Sequence, residues 1–530
     1  MHFWDRLFDA LGFGNRPTPF ELLETETGEP SFFSELKRAR PSEKKENRET
    51  VPAGIAACEK LVRREFRCDI NPDIILRRFI LGGRVNALCV FVTGMVNERV
   101  VNDFVLHDAM HAVLPERTGD LLRFALENVF AVGDAVTEAD WARVRESILC
   151  GKCAVFLDGV AQAAVLDVRG FEHRGVDVAQ NEKAVRGPQE GFSENLRTNI
   201  TLLRRLIRCE DFVCQLRDAG AQNNIKTAIA YREGVTNDTL LAEVKKRLAS
   251  IDTNTVLSIE TIEQLTERRK LSIFPQILAT ERPDRAAAYI MQGYVVVLLE
   301  GSPFANVMPT TLWALMSSAE DDYMRAPQGT LVRFIRFMGA FISLVLPGYL
   351  IAITLHHQGM LSSEALNTII YSRRMVYSSI GAEMVFLLLV FQLIREAGLR
   401  VPGSIGQAIG IIGGLVLGQA AIAANMASAV LLTVVALSGL GNFCIPDYQM
   451  QISTSYLRLL FVGVAWLGGL LAMSAVLLML IGYTATVKSY GVPFLAPFSP
   501  KTNAKGPLIR RGVIRQHRRA TDYTNTIQGK

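Results

Sequence analysis

The sequence predicts an α/β cytoplasmic N-terminal region, in two subdomains, followed by an all-α polytopic membrane domain. Three observations carry that prediction. Val401 to Pro446 contain no Asp, Glu, Lys or Arg, and a charge near the bilayer centre costs roughly 2.5–3.5 kcal/mol on insertion scales, so a charge-free run of this length suits lipid. From Met1 to about Arg336 charged and apolar residues mix as in a water-soluble domain, whereas from Phe337 to Val487 charges are sparse. Finally, Gly151–Gly159 (GKCAVFLDG) is echoed by Gly293–Gly301 (GYVVVLLEG), each a glycine, an apolar strand, an acidic residue and a closing glycine, which hints at two related α/β units.

The chain of 530 residues divides accordingly into a flexible lead segment (1–50), an α/β region (51–325, split near 210–225), a membrane domain (326–490) and a basic tail (491–530). In the lead, Ser34–Glu49 crowd charges of both signs without an apolar period, a composition that cannot offset ordering entropy. Phe3, Trp4, Leu7 and Phe8 could still form a short amphipathic turn. Asp5, Arg6 and Asp9 interrupt the first apolar residues, so no cleavable signal is expected and the soluble half should stay in the cytoplasm. In that reducing compartment Cys58, Cys68, Cys89, Cys150, Cys153, Cys209, Cys214 and Cys444 are expected as free thiols.

Within the α/β region, Ala87–Val92 (ALCVFV) reads as a buried strand ending at Thr93-Gly94. Helical stretches are expected over Val101–Met110, Gly119–Val129 and Ser193–Arg208, the last with Leu196, Ile200, Leu203 and Ile207 on one face. Thr227–Tyr231 reads as a strand and Asp238–Ser250 as a helix with Asp238 as N-cap. His107 and His111 stand at i, i+4, but Asp108 replaces the glutamate of a zinc-protease motif and no third ligand follows, so no metal is expected. Cys150-x-x-Cys153 lacks the second pair or redox context such a motif needs. No phosphate-binding loop, dinucleotide fingerprint or nucleophilic serine elbow occurs; no enzyme, cofactor or nucleic-acid partner is expected.

Five apolar segments follow: Phe337–Leu355, kinked at Pro347; Met375–Ile394; Ile405–Ala424; Ser428–Ile445; and Leu459–Val487. The tail carries Lys501, Lys505, Arg510, Arg511, Arg515, Arg518, Arg519 and Lys530 against Asp522, which predicts a cytoplasmic C-terminus and contact with anionic lipid. With both ends on one side the crossings must number four or six, so one segment is re-entrant or one is hidden. Gly406, Gly410, Gly414 and Gly418 recur every four residues and give one helix face no bulk, which allows close packing either within one bundle or between copies of the chain. Gln407 and Gln419 bring amides that lipid cannot satisfy. Glu383, an acid inside an apolar segment, is a candidate for an ion path or for a structural partner of a nearby arginine.

Several motifs in order resemble the A subunits of bacterial spore germinant receptors: VRGPQEGFSENLRTNITLLRRLI (Val185–Ile207), FPQILATERPD (Phe274–Asp284), GYVVVLLEGSPFANVMP (Gly293–Pro309), SSAEDDYM (Ser317–Met324), LIREAGLRVPGSIGQAIGIIGGLVLGQAAI (Leu393–Ile422) and GVPFLAPFSP (Gly491–Pro500). The resemblance runs from Ala87 to Pro500, with Arg395, Glu396 and Pro402 as motif residues. The chain departs from the family at Val176–Asn181, where a Pro-rich acidic stretch is usual, and at Val376-Tyr377-Ser378, where Pro-Phe-Pro is usual. The resemblance implies a multi-pass protein of the spore inner membrane with both termini cytoplasmic, partnered by a transporter-like B subunit and a lipoprotein C subunit. It further implies a homo-oligomeric ring acting as a nutrient-gated cation channel. The competing expectation is a secondary transporter with its own midplane substrate site.

Overall fold

The computed structural model describes residues 50–498 apart from 116–119, 171–178, 180, 183, 185, 268, 270, 271, 401–413, 415 and 497, and it leaves the side chains of 399 and 400 undescribed. The lead segment and the basic tail lie outside the described residues.

Two five-stranded antiparallel sheets form the first part. Strands β1 (Ile74–Leu81), β2 (Val85–Val92), β3 (Ala135–Glu138), β4 (Cys153–Leu157) and β5 (Ala163–Leu166) lie in the order β1-β2-β4-β5-β3. Strands β6 (Phe212–Ala219), β7 (Ile225–Arg232), β8 (Leu278–Thr280), β9 (Val295–Leu299) and β10 (Ala305–Met308) lie in the order β6-β7-β9-β10-β8. Shifting each strand of the first sheet by five numbers gives the second. The two echoed segments occupy equivalent places, β4 and β9, each central and buried along its whole length. A strand covered on both faces needs apolar residues at every position, which is why CAVFL and VVVLL run unbroken.

Each sheet is layered with helices. One face of the first is covered by α1 (Ile55–Phe66) and, further along, the helix Trp141–Leu149, burying Val62, Phe66, Trp141 and Ile148 on Val90 and Phe156. The other face takes the helical stretch Glu98–His111, whose residues Val101–His107 are wound as a π-helix, and the helix Leu121–Asn128. On the second sheet, α2 (Leu196–Leu206) and α3 (Pro283–Met291) cover one face, and α4 (Asp238–Ala249) lies against the other. The helix expected over Ser193–Arg208 is trimmed at its start because the Asn195 side chain accepts from the Thr198 amide and sets the N-cap there. At α4 the cap is Asn237, whose side chain accepts from Thr239 and Leu240, so Asp238 is the first helical residue and not the cap.

The remainder is a helical bundle: α5 (Ala326–Leu355), α6 (Ser363–Ser372), α7 (Ile380–Arg400), a helical segment at 416–423, α8 (Ala429–Phe443) and α9 (Tyr448–Thr486). Helices α5 and α9 are long and apolar enough to cross a membrane, by length and composition. Helix α9 is not one rod. Gly469 has φ 61° and ψ −150°, a conformation open to glycine and costly for other residues. The two arms turn back on each other there: Gly348 of α5 faces both Phe461 and Met473, and the Ile273 backbone is bonded by Ser453 on one arm and by Tyr483 on the other. At the turn, the ring of His356 pairs with the carbonyl of Trp466 at 3.1 Å.

These contacts define two ends of the bundle. At the near end α5 and α9 meet the second sheet: buried Asp321 accepts from Arg333 and Arg336 of α5, Glu263 accepts from Gln449, and Phe274 packs on Tyr483 and Phe494. The far end holds His356, Gly469, and Gly381 beneath the Trp466 ring. One apolar core runs from Leu203, Val296 and Leu298 of the second sheet's layer through Phe494 to Met450 and Leu457 of α9.

Candidate functional site

Polar groups inside an apolar bundle need partners, and following those partners outlines two clusters. At the far end Glu383, fully buried on the first turn of α7, accepts from Arg373 Nε at 2.9 Å and from the Ser428 amide at 2.6 Å. Ser428 is the N-cap of α8, its hydroxyl accepting from Leu431 N. One carboxylate thus ties the end of α6, the start of α7 and the start of α8 together.

The second cluster lies midway along the bundle. Pro347 has no N–H, so the carbonyl of Ser343 one turn earlier loses its helical donor. Ser438 of α8 replaces it, donating to Ser343 O at 2.9 Å, and Ser438 Oγ accepts from Arg458 of α9 at 3.0 Å. One turn nearer the second sheet, Asn442 Nδ2 donates to Ser455 Oγ at 3.2 Å and Arg395 approaches the same hydroxyl at 3.4 Å. Turning the Asn442 amide brings its oxygen within 3.0 Å of Arg395.

Of the residues singled out in the sequence, Gly414 has no described residue within 4 Å of where a Cβ would stand, and among the described residues Gly418 meets only the end of Leu432. Gln419 is exposed, as are Val416 and Leu417 beside it. Arg395 and Glu396 are half-buried near the second sheet's end of α7. Pro402, Gly406, Gln407 and Gly410 lie outside the described residues. Arg373, Arg458, Ser428 and Ser438 were not picked out from sequence. The signal for Arg458 was available: it is the only charged residue between Asp447 and Lys488.

The rings of His107 and His111 stack 4.4 Å apart on an exposed helix face, and no group of three metal-ligating side chains occurs among the described residues. All eight cysteines are free; buried Cys153 lies 3.2 Å from Cys89, not paired with Cys150. A polar cleft of about 910 Å³ separates the two sheets' layers, lined by Asn97, Arg99, Glu190, Arg197 and Arg205 among others.

Residues 61–522 match the Bacillus/Clostridium GerA spore germination protein family. The chain belongs to that family. Among GerA-family relatives, spore germination protein A1 of Bacillus subtilis is 36% identical over 369 residues, 69% of this chain and 76% of the relative. Spore germination protein B1 of the same organism is 31% identical over 85% of this chain and 94% of its own length. Spore germination protein KA, also from that organism, is 29% identical over 81% and 79%. The crystal structure of the N-terminal domain of the A subunit of the Bacillus megaterium spore germinant receptor GerK3 aligns with 49% of this chain and 96% of its own, at 21% identity and a TM-score of 0.38. None of these GerA-family relatives carries the name of an enzyme.

Proposed function

We propose that this chain is the A-type subunit of a nutrient germinant receptor, assembling with further copies of itself in the spore inner membrane into a ligand-gated cation channel. A transporter-like B subunit and a lipoprotein C subunit complete the receptor. The observation that carries the reading is the segment 416–423. It keeps Val416, Leu417 and Gln419 exposed, and no described residue comes near a Cβ at Gly414, so in this reading the small-residue face at Gly414 and Gly418 serves contact with a second copy. In a ring, Gln419 and Gln407 bring amides toward water, while Glu383 acts behind them as a polar anchor held by Arg373.

The path of the chain supports a multi-pass reading. Helix α5 starts at the near end, α7 returns to it, and Arg395 stands there beside Ser455. Ser428 stands at the far end beside Glu383, so the chain changes ends between them. Helix α8 returns, and the two arms of α9 go out and back. This reading gives six crossings, the sixth hidden in the hairpin at Gly469, with the two sheets and the end of α9 on one side. A transporter with its own midplane site is less well supported, because the break at Gly469 forms a turn at the far end and not an interruption halfway across.

Gln419→Cys in the membrane-embedded receptor tests the assembly. Oxidative cross-linking into dimers supports contact between copies through this segment; exclusively monomeric product, with the thiol labelled and accessible, contradicts it. Reconstitution separates the two transport modes, passive cation current marking a channel and saturable uptake a carrier.

A further inference from the structure

Arg458 puts a guanidinium group into the interior of the helical bundle, with half-buried Arg395 about one turn nearer the second sheet, and among the described residues neither lies within ion-pair distance of a carboxylate. Glu383 is engaged at the far end with Arg373 and Ser428, and Val401 to Pro446 contain no acid. Arg458 is 2% exposed, yet its Nε has no partner among the described residues; Ser343 Oγ, 0% exposed, has none among them either. Both orphans border one side chain, Ser438, which bonds Ser343 O and Arg458 Nη1. Every unused group there can donate a hydrogen bond. A cation would be repelled, whereas an anion would satisfy the donors and offset the desolvated charge.

We propose that this enclosed cluster binds one small monovalent anion of halide size, held by Arg458 Nε and Ser343 Oγ, with Arg395 adding charge beside it. The enclosure sets the size. Ser343, Ser438 and Asn442 are all at most 1% exposed, so neither a larger metabolite nor another chain's side chain reaches the cluster. The anion would join α5 and α9 at the level where Pro347 opens the helix ladder. This inference is independent of the channel reading, and its test needs no ion flux.

The test follows thermal unfolding of the full-length chain in lipid nanodiscs as chloride or bromide replaces gluconate at constant ionic strength. A saturable rise in Tm with either halide is expected, about one to two degrees per tenfold rise above half-saturation. No dependence on the anion would mean that only water fills the cluster and would overturn the proposal. Arg458→Gln should abolish the rise, and a folded Arg458→Gln protein with an unchanged rise also overturns it. If that variant fails to fold, Ser343→Ala decides, since it removes a hydroxyl that has no partner among the described residues. A severalfold higher half-saturating chloride supports the site, and an unaltered value contradicts it.

Discussion

The two sheets share one strand order but are joined to their surroundings in different ways. The first keeps its hydrophobic cores to itself: the clusters on both its faces contain only residues between Val51 and Val168. It meets the second sheet's layer through polar groups, with Arg204 bonded to Asp73 at 2.7 and 3.1 Å, Asn71 bonded to Cys214 N and Arg145 paired with Glu210. The second sheet shares a core with α5 and α9. Because apolar burial is the larger and less conditional stabilisation, the second sheet and the bundle should move as one body while the first can shift across a polar seam.

The largest blow to that contrast is a cavity in the shared core. Phe494→Ala should cost about 3–5 kcal/mol, seen as bundle and second sheet losing amide-exchange protection together while the first sheet keeps its own. Next is the buried ion pair of the seam: Arg204→Met strands Asp73 and should cost about 3 kcal/mol, since Asp73 retains some contact with water. Adding Asp73→Leu should recover much of that loss, as a well-packed apolar pair often does in denaturant titrations.

A subtler probe is pH. Burial, reinforced by the Glu267 charge, raises the Glu263 carboxyl from its ordinary value to about 8, and burial lifts Asp447 at the start of α9 to about 6. A raised acid is favoured in its neutral form when folded, so its stabilising contribution is complete below about pH 4.5 and is lost as pH rises through 8. The junction should therefore loosen between those values. Glu263→Gln should flatten the fall in Tm, a difference of about 1–3 kcal/mol at the alkaline end. The smallest effect is expected at the exposed pair Arg197–Glu98, where Arg197→Ala should cost about 0.5 kcal/mol or less by the same titration.

Much of the α/β part was legible because its central strands are apolar at every position: Ala87–Val92 ends β2, and the paired Gly-bounded motifs mark β4 and β9. Caps were less legible, since Asn237 and Asp238 are both good capping residues and only the backbone decides between them. The hairpin within α9 was hidden for a different reason. Hydropathy does not change when a chain reverses direction, so Leu459–Val487 read as one segment although Gly468-Gly469 marked the turn. Glu383 stood out as an acid in an apolar run, but its partners came from 10 and 45 residues away, a distance no local pattern encodes.

The most direct test of the central claim, that copies of this chain meet through the Gly-rich face to form the conducting unit, is nutrient-triggered potassium release from spores carrying Gly414→Leu. Since no described residue opposes a side chain at that position, the variant should fold and reach the membrane at normal levels. Its release should nevertheless be lost or severely slowed. Normal assembly together with normal release would contradict the account.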